Sequence, residues 1–145
     1  MVSLSVITFQ QLDISDLNKT KEIESIIGIT IDKKDDDSNE FDKYIYTVKE
    51  NKIDSIFLIQ CLRDIKTCNV IWLKIDLSRK SLIKEATNYA LEILGMEEAF
   101  INVANNNPNL IKYLEKNDFE SLGEEEGNII FLKEKTEEQL KSKTI

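Results

Sequence analysis

The side chains that most often do chemistry are thinly supplied in this chain, and their scarcity narrows the reading at once. There is no histidine, which removes Ser-His-Asp and Cys-His mechanisms, His-ligated metals and the side chain that most often titrates near neutrality. The two cysteines, Cys61 and Cys68, are too few for a disulfide framework, and no further ligands stand near them to complete a zinc site, so both read as thiols. Cys68 falls in a polar stretch ahead of an apolar run, as an exposed thiol with no activating base beside it. Two adjacent cations, Arg79 and Lys80, precede a helical pattern and offer positive charge to an anion; the other reading of the same residues is a solvated turn. Further on, in Asn105-Asn106-Asn107-Pro108, Asn107 can cap a helix whose first position Pro108 takes without losing a needed backbone donor.

These residues must be held by one ordinary domain. The chain has 145 residues, 41% of them hydrophobic, with four glycines and one proline, which suits an ordered globule with its own core. A single domain over 1–135, followed by a charged, frayed tail over 136–145, is the expected organisation. Acidic residues outnumber basic ones 27 to 19, a net charge of −8, so neither nucleic acid nor an anionic membrane is expected as partner. The opening Met-Val-Ser-Leu-Ser-Val-Ile lacks a charged leader, and no apolar stretch reaches the roughly 18 residues a membrane helix needs, so the expected location is cytoplasmic.

Periodicity then places the elements. Leu4 to Phe9 reads as a strand, and Asp13 or Ser15 as the cap of a helix that carries Leu17, Ile23, Ile26 and Ile27 and stops at Gly28. Residues 32–40 have no apolar period and read as a solvated loop. A hairpin over 44–62 turns at Glu50-Asn51-Lys52, and the β-branched and aromatic run 70–75 follows as a more buried strand. The apolar residues from Leu82 to Leu94 recur at helical spacing, with Gly95 past the end. A strand over 99–104, a helix after Asn107 and a last strand over 128–132 complete the order β-α-β-β-β-α-β-α-β. This is an α+β fold around one mixed, largely antiparallel sheet. Ile71, Trp72, Leu82, Ile93, Phe100 and Phe119 are the expected core members.

In its second half the chain resembles the GCN5-related N-acetyltransferase (GNAT) family. The likeness lies in a helix ending Leu-Gly, a strand, then "NPNLIKYLEKNDF" and "ESLGE", and it extends over about residues 3–133. The family's closing pattern runs Asn, three residues to Ala, four more to Tyr, then Glu-Lys, any residue, Gly-Phe. Asn107, Leu110, Leu114, Glu115, Lys116, Asn117, Asp118 and Phe119 hold those places here.

The resemblance implies a GNAT-like sheet with helices on both faces, and acetyl-CoA lying where the strand ending near Ile75 parts from the strand ending near Ala104. Ile75, Leu77, Ser78, Arg79, Lys80, Ser81 and Asn107 are then the cofactor-binding residues. The implied activity is acetyl-CoA-dependent N-acetylation of a small-molecule or peptide amine. The alternative is a catalytically idle member of the fold that serves as a binding or protein-interaction module, and exposed sheet edges make a homodimer a further expectation. Two departures from the family pattern bear on that choice. Its tyrosine acid corresponds to Leu114, and Tyr113, about 100° away around the helix, reads as core. Its glycine-rich pyrophosphate loop corresponds to Asp76-Leu77-Ser78-Arg79-Lys80-Ser81, which has no glycine to admit a close backbone approach, so weak binding of acetyl-CoA or none is expected. Asp76 and Glu85 are the nearest carboxylates that could act as a base, and capping or stabilising the first turn of the 82–94 helix is their plainer role.

Overall fold

A computed structural model describes residues 8–31, 39–75 and 79–136. The elements are β1 (Gln10–Gln11), α1 (Leu17–Ile27), β2 (Glu40–Lys49), β3 (Lys52–Leu62), β4 (Thr67–Lys74), α2 (Ser81–Glu92), β5 (Glu98–Ala104), α3 (Pro108–Lys116), β6 (Glu120–Glu125) and β7 (Asn128–Glu134). The seven strands form one sheet in the order β1-β2-β3-β4-β5-β7-β6. Every neighbouring pair is antiparallel except β4 with β5. The α+β expectation and its largely antiparallel sheet hold.

Local chemistry explains the turns. Glu50 and Asn51 take φ 53° and 66°, and Glu126 and Gly127 take φ 51° and 81°. Two successive positive φ values make the hairpin turn whose twist matches its strands, and the turns close on the pairs Lys49↔Lys52 and Glu125↔Asn128. α1 is capped by Asp16, whose carboxylate accepts from the Lys19 N–H at 3.1 Å, rather than by Asp13 or Ser15. Asp13 is occupied one turn earlier, accepting from the Ser15 N–H and hydroxyl at 3.0 and 2.6 Å. The helix stops at Gly28, φ 73°, as expected.

Helices cover both faces, unevenly. α2 and α3 pack Leu82, Ile83, Ala86, Ala90, Leu110 and Leu114 onto Phe57, Ile59, Val70, Ala99, Ile101 and Val103. α1 lies on the opposite face, where Ile23 meets Tyr46, Ile53 and Ile56. The expected core needs correction accordingly. Leu82 and Phe119 are buried, and Trp72 is partly buried against the first cluster. Ile71 and Phe100 are only half-buried, because strand alternation gives the helix-covered face to their neighbours Val70, Ala99 and Ile101. Ile93 is 62% exposed; α2 ends at Glu92, so Ile93 falls beyond the last turn, and Thr87 and Leu91 take the buried positions instead.

β6 was not expected from the sequence. Its six residues are all exposed, so Glu-Ser-Leu-Gly-Glu-Glu carries no apolar alternation, and its pairing with β7 shifts register between Ser121 and Gly123. Residues 4–7 of the expected first strand, 32–38 of the acidic loop and 137–145 of the tail lie outside the described residues; Thr8 and Phe9 are not strand, and β1 follows them. Among the described residues, no helix is long and apolar enough to cross a membrane.

Candidate functional site

β4 and β5 pair only through Thr67↔Glu98, Cys68↔Ala99 and Asn69↔Phe100. Beyond those pairs the two strands part, though each stays paired on its other side, β4 with β3 and β5 with β7. The gap opens to both faces. On the helix side a cavity of about 200 Å³ is lined by Ile75, Lys80, Ile83, Asn107, Asn109 and Leu110. On the opposite side a cavity of about 530 Å³ is lined by Gln60, Asn69, Val70, Ile71, Trp72, Phe100, Asn102, Ala104 and Asn128.

The start of α3 forms one wall of the helix-side cavity and is firmly tied. The Asn107 carboxamide accepts from the Leu110 N–H at 3.4 Å, and Pro108 follows as the first helical residue. The Asn107 N–H donates to the Ala104 carbonyl and the Asn105 N–H to the Gly127 carbonyl, at 3.2 and 3.0 Å, while the Asn105 amide reaches Glu124 at 2.7 Å. Helix, strand end and β6–β7 turn therefore share one junction. At the far end of α3, Asp118 adopts φ 68° at the place where the GNAT pattern has glycine.

Of the residues expected at the cofactor, Ile75, Lys80 and Asn107 come together around this cavity. Leu77 and Ser78, like Asp76, lie outside the described residues. Ser81 is exposed and opens α2. Arg79 is engaged elsewhere, its guanidinium ion-paired with Asp54 on β3, and the same carboxyl group accepts from the Thr47 hydroxyl. A cation held by a carboxylate offers little charge to a second anion. The helix start is also partly committed, since the Leu82 and Ile83 N–H groups turn back to the Arg79 and Lys80 carbonyls at 3.0 and 3.1 Å. Lys80, the cap residue, makes no side-chain cap bond.

Leu114 is fully buried, so the position of the family's tyrosine acid belongs to the core. Tyr113 packs against the same core, and burial first, then the nearby Glu85 charge, pushes its phenol above the ordinary value. Cys68 is not the exposed thiol the sequence suggested. It is buried on β4 directly across from Cys61 of β3, and a hydrogen bond with Cys61, then burial, raises its pKa well above the usual thiol range. A thiol so held is a poor nucleophile. Among the described residues, no three Cys, Asp or Glu side chains are grouped to hold a metal ion.

Neither a family model nor a curated protein matches this sequence. Solved structures do. The spermidine N-acetyltransferase of Vibrio cholerae, a dodecamer, superposes with a TM-score of 0.61 at 13% identity, over 95% of this chain and 96% of that one. This chain has the GNAT fold. The PaiA N-acetyltransferase of Thermoplasma acidophilum, in complex with coenzyme A, matches with a TM-score of 0.60 at 14% identity, over 90% of this chain and all of the other. The Campylobacter jejuni N-acetyltransferase PseH, in complex with acetyl coenzyme A, matches with 0.54 at 16%, over 90% and 100%. What sequence reasoning missed in this GNAT fold is the amide-lined cavity on the far side of the sheet. Its signal was available, because Gln60, Asn69 and Asn102 each interrupt an apolar strand and Asn128 opens another.

Proposed function

We propose that this protein is an acetyl-CoA-dependent N-acetyltransferase whose two substrates enter the β4–β5 gap from opposite faces. The observation that carries this is the parting of two central strands with a cavity at each face. A gap that opens to both sides lets two reactants meet in line without displacing each other, which is the positional part of catalysis.

The helix-side cavity fits the arm of the cofactor better than its phosphates. Ile75, Ile83 and Leu110 give it an apolar wall, with Asn107 at hand; an amide there would hold the polar groups of a flexible chain, and Lys80 stands at the start of α2 beside it. When bound, the cofactor supplies an acetyl thioester. The protein's own contribution is to orient: Asn107, fixed by its bond to Leu110 and by its own N–H on Ala104, sets the wall. The pyrophosphate cradle is thin, because Arg79 is engaged by Asp54 and the loop has no glycine. Lys80 is then the principal cation for the phosphates, with a rotamer cost to order it.

Isothermal titration at 0.15 M salt should give an acetyl-CoA dissociation constant weaker than about 100 μM, or less than roughly 5.5 kcal/mol of binding free energy. Lys80→Ala should weaken it further, while Arg79→Ala should leave it nearly unchanged. No detectable binding at millimolar cofactor would sink the proposal. A second reading, a fold that binds without turnover, is favoured by the burial of Leu114, and it predicts binding with no thiol release for any amine.

A further inference from the structure

The larger cavity, on the face away from α2 and α3, has an unusual lining. Charged residues make up 32% of the chain, yet among the described residues none lines this cavity. Its polar members are four neutral amides, Gln60, Asn69, Asn102 and Asn128, contributed by β3, β4, β5 and β7. Register places them side by side across the sheet: Gln60 is opposite Asn69, Asn69 pairs with Phe100, and Ala104, two residues beyond Asn102, is opposite Asn128. Half-buried Ile71 and Phe100 complete the floor. Each amide carries a carbonyl acceptor and an NH₂ donor, and among the described residues none of the four donates or accepts a side-chain hydrogen bond within the protein. Among the described residues, the nearest carboxylates lining a cavity stand in the adjoining one, where Glu40 and Asp42 lie beyond Gln60 and Asn69, and both are engaged with other groups of the protein.

We infer that this cavity selects an acceptor amine carried on an uncharged body rich in hydroxyl or amide groups, and discriminates against polycations. The inference rests on the two-sided transferase reading above. Alternating donors and acceptors on four strands complement hydroxyl groups, which also both donate and accept, and an aromatic edge among them covers the apolar face of a sugar-like ring. A polyamine would bring several ammonium groups into a cleft where, among the described residues, no charged side chain lines the walls. It would lose hydration without a paired charge in return. Ligand specificity of this kind is set by a few convergent polar groups on an otherwise apolar lining.

The side-chain NH₂ resonances of Gln60, Asn69, Asn102 and Asn128, assigned by single substitution in the full chain, report directly on the cavity. Titration with D-glucosamine should move them, and spermidine at equal concentration in 0.15 M salt should bind at least about tenfold more weakly, a difference of 1.4 kcal/mol. Replacing Asn69 and Asn102 together by Asp should reverse the preference, with an unchanged backbone amide spectrum showing that the variant is folded. Glucosamine that moves none of the four, or spermidine that moves them at lower concentration, overturns the inference. A separate titration with acetyl-CoA watches Lys80 and Asn107. Its failure alongside a glucosamine response would sink the transferase reading and leave the neutral selectivity standing, whereas its success without a glucosamine response would do the reverse.

Discussion

The two halves of the sheet are built to different rules. β2 and β3 are joined by ten register pairs and packed on one face by α2 and on the other by α1. β4 and β5 share three pairs, and past them the face away from α2 and α3 opens among the described residues into a cavity floored by Ile71 and Phe100. Continuous pairing with both faces covered makes a rigid plate, and a plate is what the open half needs as a foundation. The strands on either side of the gap are each held by an outer neighbour, so the gap persists without being bridged. A fold can thus leave backbone and side chains open in its centre while keeping a full core, provided that the strands there are packed on their other face.

The sharpest test of this asymmetry compares two large apolar residues on opposite faces. Leu114, on the inner face of α3, is fully buried, and Phe100 is half-buried in the open cavity. Leu114→Ala should cost about 2–5 kcal/mol by denaturant unfolding, the range for cavity-forming truncations in a packed core. Phe100→Ala, larger in volume removed, should cost less than half of that, because the site already faces solvent. Equal losses would show that the open face is closed in solution by something else.

A second comparison concerns how the two halves are fastened. Arg79, in the connection that leaves β4, is tied back to Asp54 of β3, and Thr47 of β2 adds its hydroxyl to the same carboxyl group. With side chains 30% and 20% exposed, solvent screens part of the pair, so Asp54→Ala should cost about 1–2 kcal/mol, and Arg79→Ala a similar amount. A double-mutant cycle measures their coupling. Additive losses would mean that the connection is held otherwise. Asn107→Ala, at the opposite wall, removes one cap and should cost about 1 kcal/mol, seen as a lower midpoint at constant slope. An unchanged midpoint would rule out the cap.

The contrast also decides what the sequence could show. The hairpin over β2 and β3, the helix that ends at Gly28 and the Asn107-Pro108 start were legible, because each follows from local chemistry: alternation, a left-handed stop, a cap. Phe100 and Ile71 were misplaced, because hydrophobicity says that a residue favours burial but not which face of the sheet has a helix over it, and Ile93 because the apolar period runs past the point where α2 ends. β6 was missed for the converse reason. An edge strand exposed along its whole length is held by backbone pairing to β7, and pairing leaves no pattern in side chains. The Arg79–Asp54 pair joins residues 25 apart, and only the fold brings them together.

The smallest expected effect tests how closely this chain follows the GNAT pattern. α3 ends with the Asn117 and Phe119 N–H groups both on the Leu114 carbonyl at 3.1 Å, and the Asn117 amide donates to the Tyr113 carbonyl at 2.7 Å. That closure requires the residue between them to be left-handed, and Asp118 obliges at φ 68°. Aspartate tolerates this region better than most residues, yet its Cβ still crowds the backbone there, a strain that glycine does not have. Against that, glycine loses more backbone freedom on folding. Asp118→Gly should therefore raise stability by up to about 1 kcal/mol, read as a higher denaturation midpoint at unchanged slope. Asp118→Val, β-branched at positive φ, should lower it instead. If both variants shift the midpoint in the same direction, the left-handed residue is not what closes α3, and its match to the glycine of the family pattern is a coincidence of spacing.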